Sequence, residues 1–508
     1  VGDFAADLAA GYAFDGPAVH LGRPFVDPTA PVDDVDVRIP LNLINRHGLI
    51  AGATGTGKTK TLQLIAEQIC AAGSPVFAAD MKGDLAGIAE PGVSNDKIVE
   101  RVNALQCKWV PSAVPVEIVS LTGDDGVPLR ASVTQFGPTL LSKVMSLNET
   151  QESSLNLVFR YCEEKDLALI ELEDLRAALA WLVGPGKAEL KELGGLSSAT
   201  VGVLQRKVSE LEGDGGDIFF GEPGLDVRDL LRVAPDGRGI ATVMSLPNVA
   251  TKPALFSTFL MWVLSELYEE LPEVGDPDKP TLAFFFDEAH LLFADASKAF
   301  LDAVTQTVRL IRSKGVGVFF ITQLPTDIPD QVLSQLGHRV QHAVRAFTPK
   351  DAKALKQAVE TFPTTEYYPD LAETLQSLGV GEAVVTVLDP RGVPTPVSST
   401  RLYPPTSRMG TLTEEERRAI IVASAIGAKY TQRVDRESAE EILAARLAGD
   451  AAKVDAAVER AKPAPAKRAP ADDDTLVDTV GDVLNSTTVR QLGREVVRGI
   501  FGMLRKRR

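Results

Sequence analysis

The 508-residue chain predicts an α/β fold with a mainly parallel sheet, and two observations carry that expectation. Short apolar runs of strand length recur along the chain, separated by longer segments with helical spacing. That alternation is the pattern of a parallel sheet covered on both faces. One run, Leu49-Ile50-Ala51, leads directly into Gly52-Ala53-Thr54-Gly55-Thr56-Gly57-Lys58-Thr59, and that loop leads into helical spacing at Leu62, Ile65, Ala66 and Ile69. The loop matches the complete phosphate-binding pattern G-x-x-x-x-G-K-[ST]. A strand–loop–helix order aims the positive end of a helix at an anion.

Taken in order, residues 1–45 read as a small N-terminal β segment, with Pro, Gly and Asp between short apolar pieces such as Val35-Asp-Val37-Arg-Ile39. Residues 46–129 form the first part of the core. They hold the loop, a second strand at Pro75–Asp80 that ends in a carboxylate, and a third at Val116–Ser120. Residues 130–236 change texture. Thr139–Cys162 and Leu167–Val183 have helical spacing and glycine clusters punctuate the rest, which reads as a mainly helical insertion. Strands return over 237–400, at Gly239–Ser245, Leu282–Phe286 and Val316–Thr322, separated by helical segments at Pro253–Leu271 and Ser297–Ser313. Residues 401–450 read as a C-terminal helical region. Residues 451–475, with the Pro/Ala/Lys/Arg-rich stretch Lys462–Ala471, read as a flexible linker. Residues 476–508 have the spacing of an amphipathic helical tail ending in Arg505-Lys-Arg-Arg508, suited to packing or self-association, or to an anionic lipid or nucleic acid.

Bulk composition narrows the class. Apolar residues make up 44%, enough for a large core. The net charge of −16 excludes a protein that coats nucleic acid by overall attraction, so any DNA contact has to be a local basic patch. The region Lys298–Lys356, with Arg339, Arg345, Lys350, Lys353 and Lys356, supplies a candidate patch, equally readable as a solvated face. Cys70, Cys107 and Cys162 are widely spaced, without the pairing of a disulfide framework or a zinc site, and read as core residues. The N-terminus lacks the basic start of a signal peptide and no apolar run is long enough to span a bilayer. The cytoplasm is the expected compartment.

The chemistry concentrates in four places. In the loop, backbone N–H groups from Gly52 through Lys60 would wrap phosphates, Lys58 would reach the outer phosphates, and the Thr59 hydroxyl would ligate Mg²⁺. At the end of the apolar run Phe284–Phe286, Asp287 would hold Mg²⁺ through water and Glu288 would polarise the attacking water. A water-activating glutamate disfavours a phosphotransferase, which must exclude hydrolysis. His290 reads either as a nucleotide sensor or as a helix cap. Gln323, closing the strand Val316–Thr322, would orient that water or would only terminate the strand. Arg309 and Arg312, three apart on one helix, read as a phosphate-binding pair supplied from a neighbouring subunit or as a surface ion-pair couple. Asp80, Lys82 and Asp84 follow the second strand, where they would join a magnesium shell or form a turn.

The order of loop, Asp-Glu, then Arg312-x-x-Gly315-x-x-x-x-x-x-Thr322-Gln323 resembles the HerA/FtsK superfamily of RecA-like motor ATPases. Longer stretches, over residues 10–445, resemble a bacterial group of HerA-like ATPases whose function is poorly defined. They include Ala79–Leu85, Ile218–Pro223, Leu271–Gly275, Arg312–Gly317, Ile321–Pro329, Arg345–Pro349 and Arg408–Gly410. The resemblance implies a RecA-like P-loop core, hydrolysis of ATP with Mg²⁺, and a homo-hexameric ring with ATP between subunits. It also matches Arg312 to a trans-acting arginine finger and Gln323 to a sensor. Two outputs are compatible with it: translocation on DNA, or conformational work on an unknown protein partner without DNA.

Overall fold

The computed structural model describes residues 4–25, 31–32, 34–193, 195–246, 253–293 and 298–461. The chain divides into the units Val1–Leu447 and Ala448–Arg508. Of the second unit, the described residues belong to the helix Ala439–Ala461. That helix therefore extends into the stretch expected as a linker from residue 451. The expected tail, 476–508, and the stretch Lys462–Ala471 lie outside the described residues.

The first unit is built on one mixed sheet. Its strands in chain order are β1 (Ala18–Pro24), β2 (Val37–Pro40), β3 (Gly48–Ala51), β4 (Val76–Asp80), β5 (Val116–Ser120), β6 (Val127–Pro128) and β7 (Ala241–Ser245). They continue with β8 (Leu282–Phe286), β9 (Val316–Thr322), β10 (His338–His342), β11 (Glu382–Thr386) and β12 (Ser398–Leu402). In space the order is β2-β1-β12-β11-β10-β3-β9-β8-β4-β7-β5-β6. From β10 to β6 neighbouring strands run parallel. From β10 to β2 the pairing is antiparallel. The strand β9 lies between the loop strand β3 and the carboxylate strand β8. This order brings the carboxyl ends of all three strands together on one side of the sheet.

The apolar runs are strands because both of their faces are covered. Alternation sends Phe284, Phe286 and Phe320 into one core, with Phe77 stacked on Phe284 at 4.7 Å and Phe286 on Phe320 at 5.2 Å. Phe285 and Phe319, stacked at 5.1 Å, enter the core on the opposite face. The helix Lys58–Ala71 that follows the loop covers that second face with Leu62, Ile65 and Ile69. The first core also takes Phe136, Leu155, Leu175 and Leu204 from the helices Val133–Val144, Glu149–Glu164, Leu172–Val183 and Ser198–Leu211. The helical stretch 130–236 thus shares its core with the sheet.

Element boundaries follow local capping. The helical spacing over 139–162 is interrupted before Glu149, where the Asn148 side chain accepts the Gln151 N–H at 3.0 Å and starts a new helix. Residues 167–171 lie outside the helix Leu172–Val183, because the Asp174 carboxylate takes the N–H groups of Ile170 and Glu171, each at 2.9 Å. Cys70 and Cys162 are buried as expected, whereas Cys107 is partly exposed. No helix among the described residues is long and apolar enough to cross a membrane.

Candidate functional site

The phosphate-binding loop is held from three sides. Gly52 N–H donates to the Gln323 carbonyl at 3.1 Å, Ala53 N–H to the Ala343 carbonyl at 2.9 Å, and Gly381 N–H to the Thr56 carbonyl at 3.0 Å. The loop is thereby tied to the ends of β9 and β10 and to the turn before β11. Arg101 holds that turn in place by donating to the carbonyls of Val380 at 2.8 Å and Gly381 at 2.9 Å. Gly57, at φ +118°, is the left-handed residue from which the helix Lys58–Ala71 starts. A Cβ there would be strained, with the Gly381 nitrogen and the His342 ring already at contact distance. Inside the loop Lys58 donates to the carbonyls of Gly52 at 2.7 Å and Ala53 at 3.2 Å. Burial lowers its pKa, opposed by the nearby charge of Glu288. Thr59 and Lys60 occupy the first turn of that helix, and Lys60 lies 3.5 Å from Asp84.

The two carboxylates follow β8 directly. Asp287 is buried, and its pKa is pushed up to about 7, first by desolvation and then by the adjacent charge of Glu288. Glu288 is held at φ +49°, a left-handed conformation that costs a branched-chain-free L-residue about 1 kcal/mol or more. Its Oε2 is out of solvent without a hydrogen-bond partner. Lys82 Nζ and His290 Nδ1 each approach the carboxylate to 3.5 Å. A buried aspartate beside a partly exposed glutamate, with one oxygen that accepts no hydrogen bond and a lysine close by, is a site suited to a divalent cation and phosphate oxygens.

For Asp80, the turn is the alternative the structure supports. Both oxygens of Asp80 are taken by its own turn, accepting the N–H groups of Gly83 at 2.7 Å, Leu85 at 3.0 Å and Ala86 at 3.1 Å, so this carboxylate builds the turn. Lys82, within that turn, reaches Glu288. Gln323 follows β9, between the loop strand and the carboxylate strand, with its side chain exposed. Arg309 ends the helix Lys298–Leu310, and Arg312 lies in the 3-10 turn Ile311–Lys314 ahead of β9. Seven residues of extended chain, about 20 Å, separate that turn from Gln323. The expected basic patch is divided in the same way. Arg339 sits at the start of β10, whereas Arg345, Lys350, Lys353 and Lys356 are exposed beyond its other end.

Sequence reasoning missed His342. This residue ends β10, is fully buried, and its Nε2 lies 2.8 Å from Thr61 Oγ1 on the loop helix. Burial holds its pKa down to about 4. The only sequence signal was a histidine spaced four from His338 in a run too polar to be read as a strand.

Residues 28–508 match the family described as helicase HerA-like, C-terminal. The chain belongs to that family. Among curated relatives, this HerA-like chain is 23% identical over 354 residues to a DNA double-strand break repair helicase HerA of Sulfolobus acidocaldarius. It is 22% identical over 370 residues to the protein of the same name from Sulfurisphaera tokodaii. In both cases the match covers 69% of this chain and 64% of the relative, so the chain spans just under two thirds of the relatives' length. Solved structures with similarity include the bacterial conjugative coupling protein TrwBΔN70, at 17% identity and TM-score 0.49, over 80% of this chain and 95% of that one. VirB4 of Thermoanaerobacter pseudethanolicus follows at 16% identity and TM-score 0.47, over 77% and 97%.

Proposed function

We propose that this HerA-like chain hydrolyses ATP with Mg²⁺ at the edge of the sheet where β3, β9 and β8 end, and that it does so in a ring of copies acting on DNA. The observation that carries the reading is the meeting, at the carboxyl ends of neighbouring strands, of a complete phosphate-binding loop with the buried Asp287 and the partly exposed Glu288, whose backbone is left-handed. The loop amides from Gly52 to Lys60 and the ammonium of Lys58 would bind and orient the phosphates. Thr59 and Asp287 would hold the magnesium, which when bound neutralises charge on the phosphate oxygens. Glu288, with one oxygen free of hydrogen bonds, would accept the proton of the attacking water, and Gln323 would orient that water.

Arg312 supports assembly. It lies at the far end of β9 from the loop, so within one chain it is remote from Lys58, and a phosphate contact requires a second copy. The ring is taken as a hexamer by likeness to the family's motor class. DNA as the substrate moved rests on the printed names of the HerA relatives.

The test is ATP turnover of the wild type and Glu288→Gln, with and without duplex DNA over a range of salt. The expected result is a fall in turnover of about 10²-fold or more in Glu288→Gln with nucleotide binding retained. DNA stimulation of the wild type should weaken as salt rises. Unchanged turnover in Glu288→Gln removes that residue from the mechanism, and a rate indifferent to DNA at every salt concentration removes DNA.

A further inference from the structure

The parallel strands have two ends, and the loop and carboxylates use one of them. At the other end, where β3, β9 and β10 begin, lies a cavity of about 560 Å³. Four arginines from three parts of the chain line it: Arg46 just ahead of β3, Arg309 and Arg312 ahead of β9, and Arg339 in β10. No Asp or Glu is among the lining residues. Among the described residues the carboxylate paired with this group is Asp276, 3.4 Å from Arg46 and itself 66% exposed.

Three residues that line the cavity also carry donors without partners. Arg339 Nη1, Arg46 Nε and His47 Nε2 are out of solvent without hydrogen-bond partners. His47 is 2% exposed and lines the cavity. Its Nδ1 accepts the backbone N–H of Val318 at 3.0 Å. Burial lowers its pKa to about 4, so near neutral pH the ring is uncharged and its single proton sits on Nε2. Like charges gathered in a cavity repel, and buried donors without acceptors cost stability. An oxyanion in the cavity relieves the repulsion. Guanidinium groups fork onto phosphoryl oxygens, and several of them around a cavity match a chain of phosphates better than a single carboxylate.

We propose that this cavity is a second phosphate site of the chain, separate from the chain's own loop, that takes a polyphosphate group on Arg46, Arg309, Arg312, Arg339 and His47. The group has two sources: a free polyphosphate, or the phosphates of a nucleotide held by a second copy of the chain. Arg312 is shared with the function proposed above. Arg46, Arg339 and His47 are not, and binding is read without turnover, so either proposal can fail alone.

The experiment titrates inorganic tripolyphosphate into the full chain carrying Lys58→Ala, which disables the loop, by calorimetry at low salt. Saturable binding is expected in that background, weakened at least tenfold by Arg339→Gln and again by Arg46→Gln. Arg309→Gln changes an exposed side chain and serves if Arg339→Gln does not fold; the same loss is expected. No saturable binding in the Lys58→Ala chain, or equal affinity in all the arginine variants, overturns the proposal. Sedimentation of the wild type with ATP separates the sources. Tripolyphosphate that dissociates assembled copies places the neighbour's nucleotide in the cavity, and tripolyphosphate that binds without changing the assembly assigns it to a free ligand.

Discussion

Glu288 shows how far a single residue departs from what stability alone would select. Its backbone is left-handed at φ +49°, its Oε2 is out of solvent and accepts no hydrogen bond, and its charge lifts the pKa of Asp287. Glycine at this position would relieve the backbone strain and the like-charge contact together. Glu288→Gly is therefore expected to abolish turnover while raising unfolding stability by about 1 kcal/mol, read as a higher midpoint in thermal unfolding. A lower midpoint would mean that the carboxylate's contacts with Lys82 and His290 outweigh the strain.

Three histidines give a second result at this scale. His47, His338 and His342 are buried, and burial holds each pKa down to about 4. An unfolded histidine takes a proton near pH 6.5, whereas these remain neutral in the folded chain until pH is near 4. Stability is thus full above pH 6.5 and is lost as pH falls toward 4, by up to about 3 kcal/mol for each residue. Urea midpoints measured from pH 7 to 4.5 should fall, and His338→Gln, which can still donate to the Leu43 carbonyl, should flatten the slope. A midpoint independent of pH across that window contradicts the assignment.

At the scale of elements, an extended strap from the C-terminal region grips the helix that carries the loop lysine. The Glu67 carboxylate, buried on the helix Lys58–Ala71, accepts Thr406 N–H at 2.8 Å, Thr406 Oγ1 at 3.0 Å, Ser407 N–H at 3.1 Å and Ser407 Oγ at 2.6 Å. Gln63 adds bonds to Ser407 Oγ and the Arg408 carbonyl, each at 2.8 Å, and Arg408 pairs in two-pronged fashion with Glu416. Glu67→Gln turns one acceptor oxygen into a donor, so it should cost about 2 kcal/mol and open residues 403–412 to limited proteolysis. Wild-type proteolytic resistance in that variant would show that the strap is held elsewhere.

The same scale explains what could be read from the sequence. β3, β4, β5, β7, β8 and β9 were legible because a strand buried on both faces reads as a mostly apolar run, even where, as at Glu117 in β5, a polar residue enters it. β10 and β12 were not. His338-Arg-Val-Gln-His342 and Ser398-Ser-Thr-Arg-Leu402 carry polar side chains whose partners come from distant parts of the chain, such as Leu43 for His338 and Thr61 for His342. The loop and the Asp287-Glu288 pair were legible as local motifs. The contact of Lys82 with Glu288 and the gathering of Arg46 with Arg339 were not, because each joins residues that only the sheet order brings together.

For the whole molecule, the polarity of the sheet is the organising fact. One edge carries the loop and the carboxylates, the other carries four arginines, and the extended strand β9 runs between them. On the function proposed above, the loop of one copy and Arg312 of another complete one phosphate site, and copies arranged head to tail would bring the two ends together. The direct measurement is ATP turnover in mixtures of Lys58→Ala and Arg312→Ala chains, with exchange of copies verified by labelled protein. Each variant alone should be inactive. In an equal mixture the required order, an intact loop facing an intact arginine, arises at roughly a quarter of head-to-tail contacts, so activity should return to roughly that fraction of the wild-type rate. A mixture that stays inactive despite exchange, or an Arg312→Ala chain that turns over ATP normally by itself, would contradict a site shared between copies.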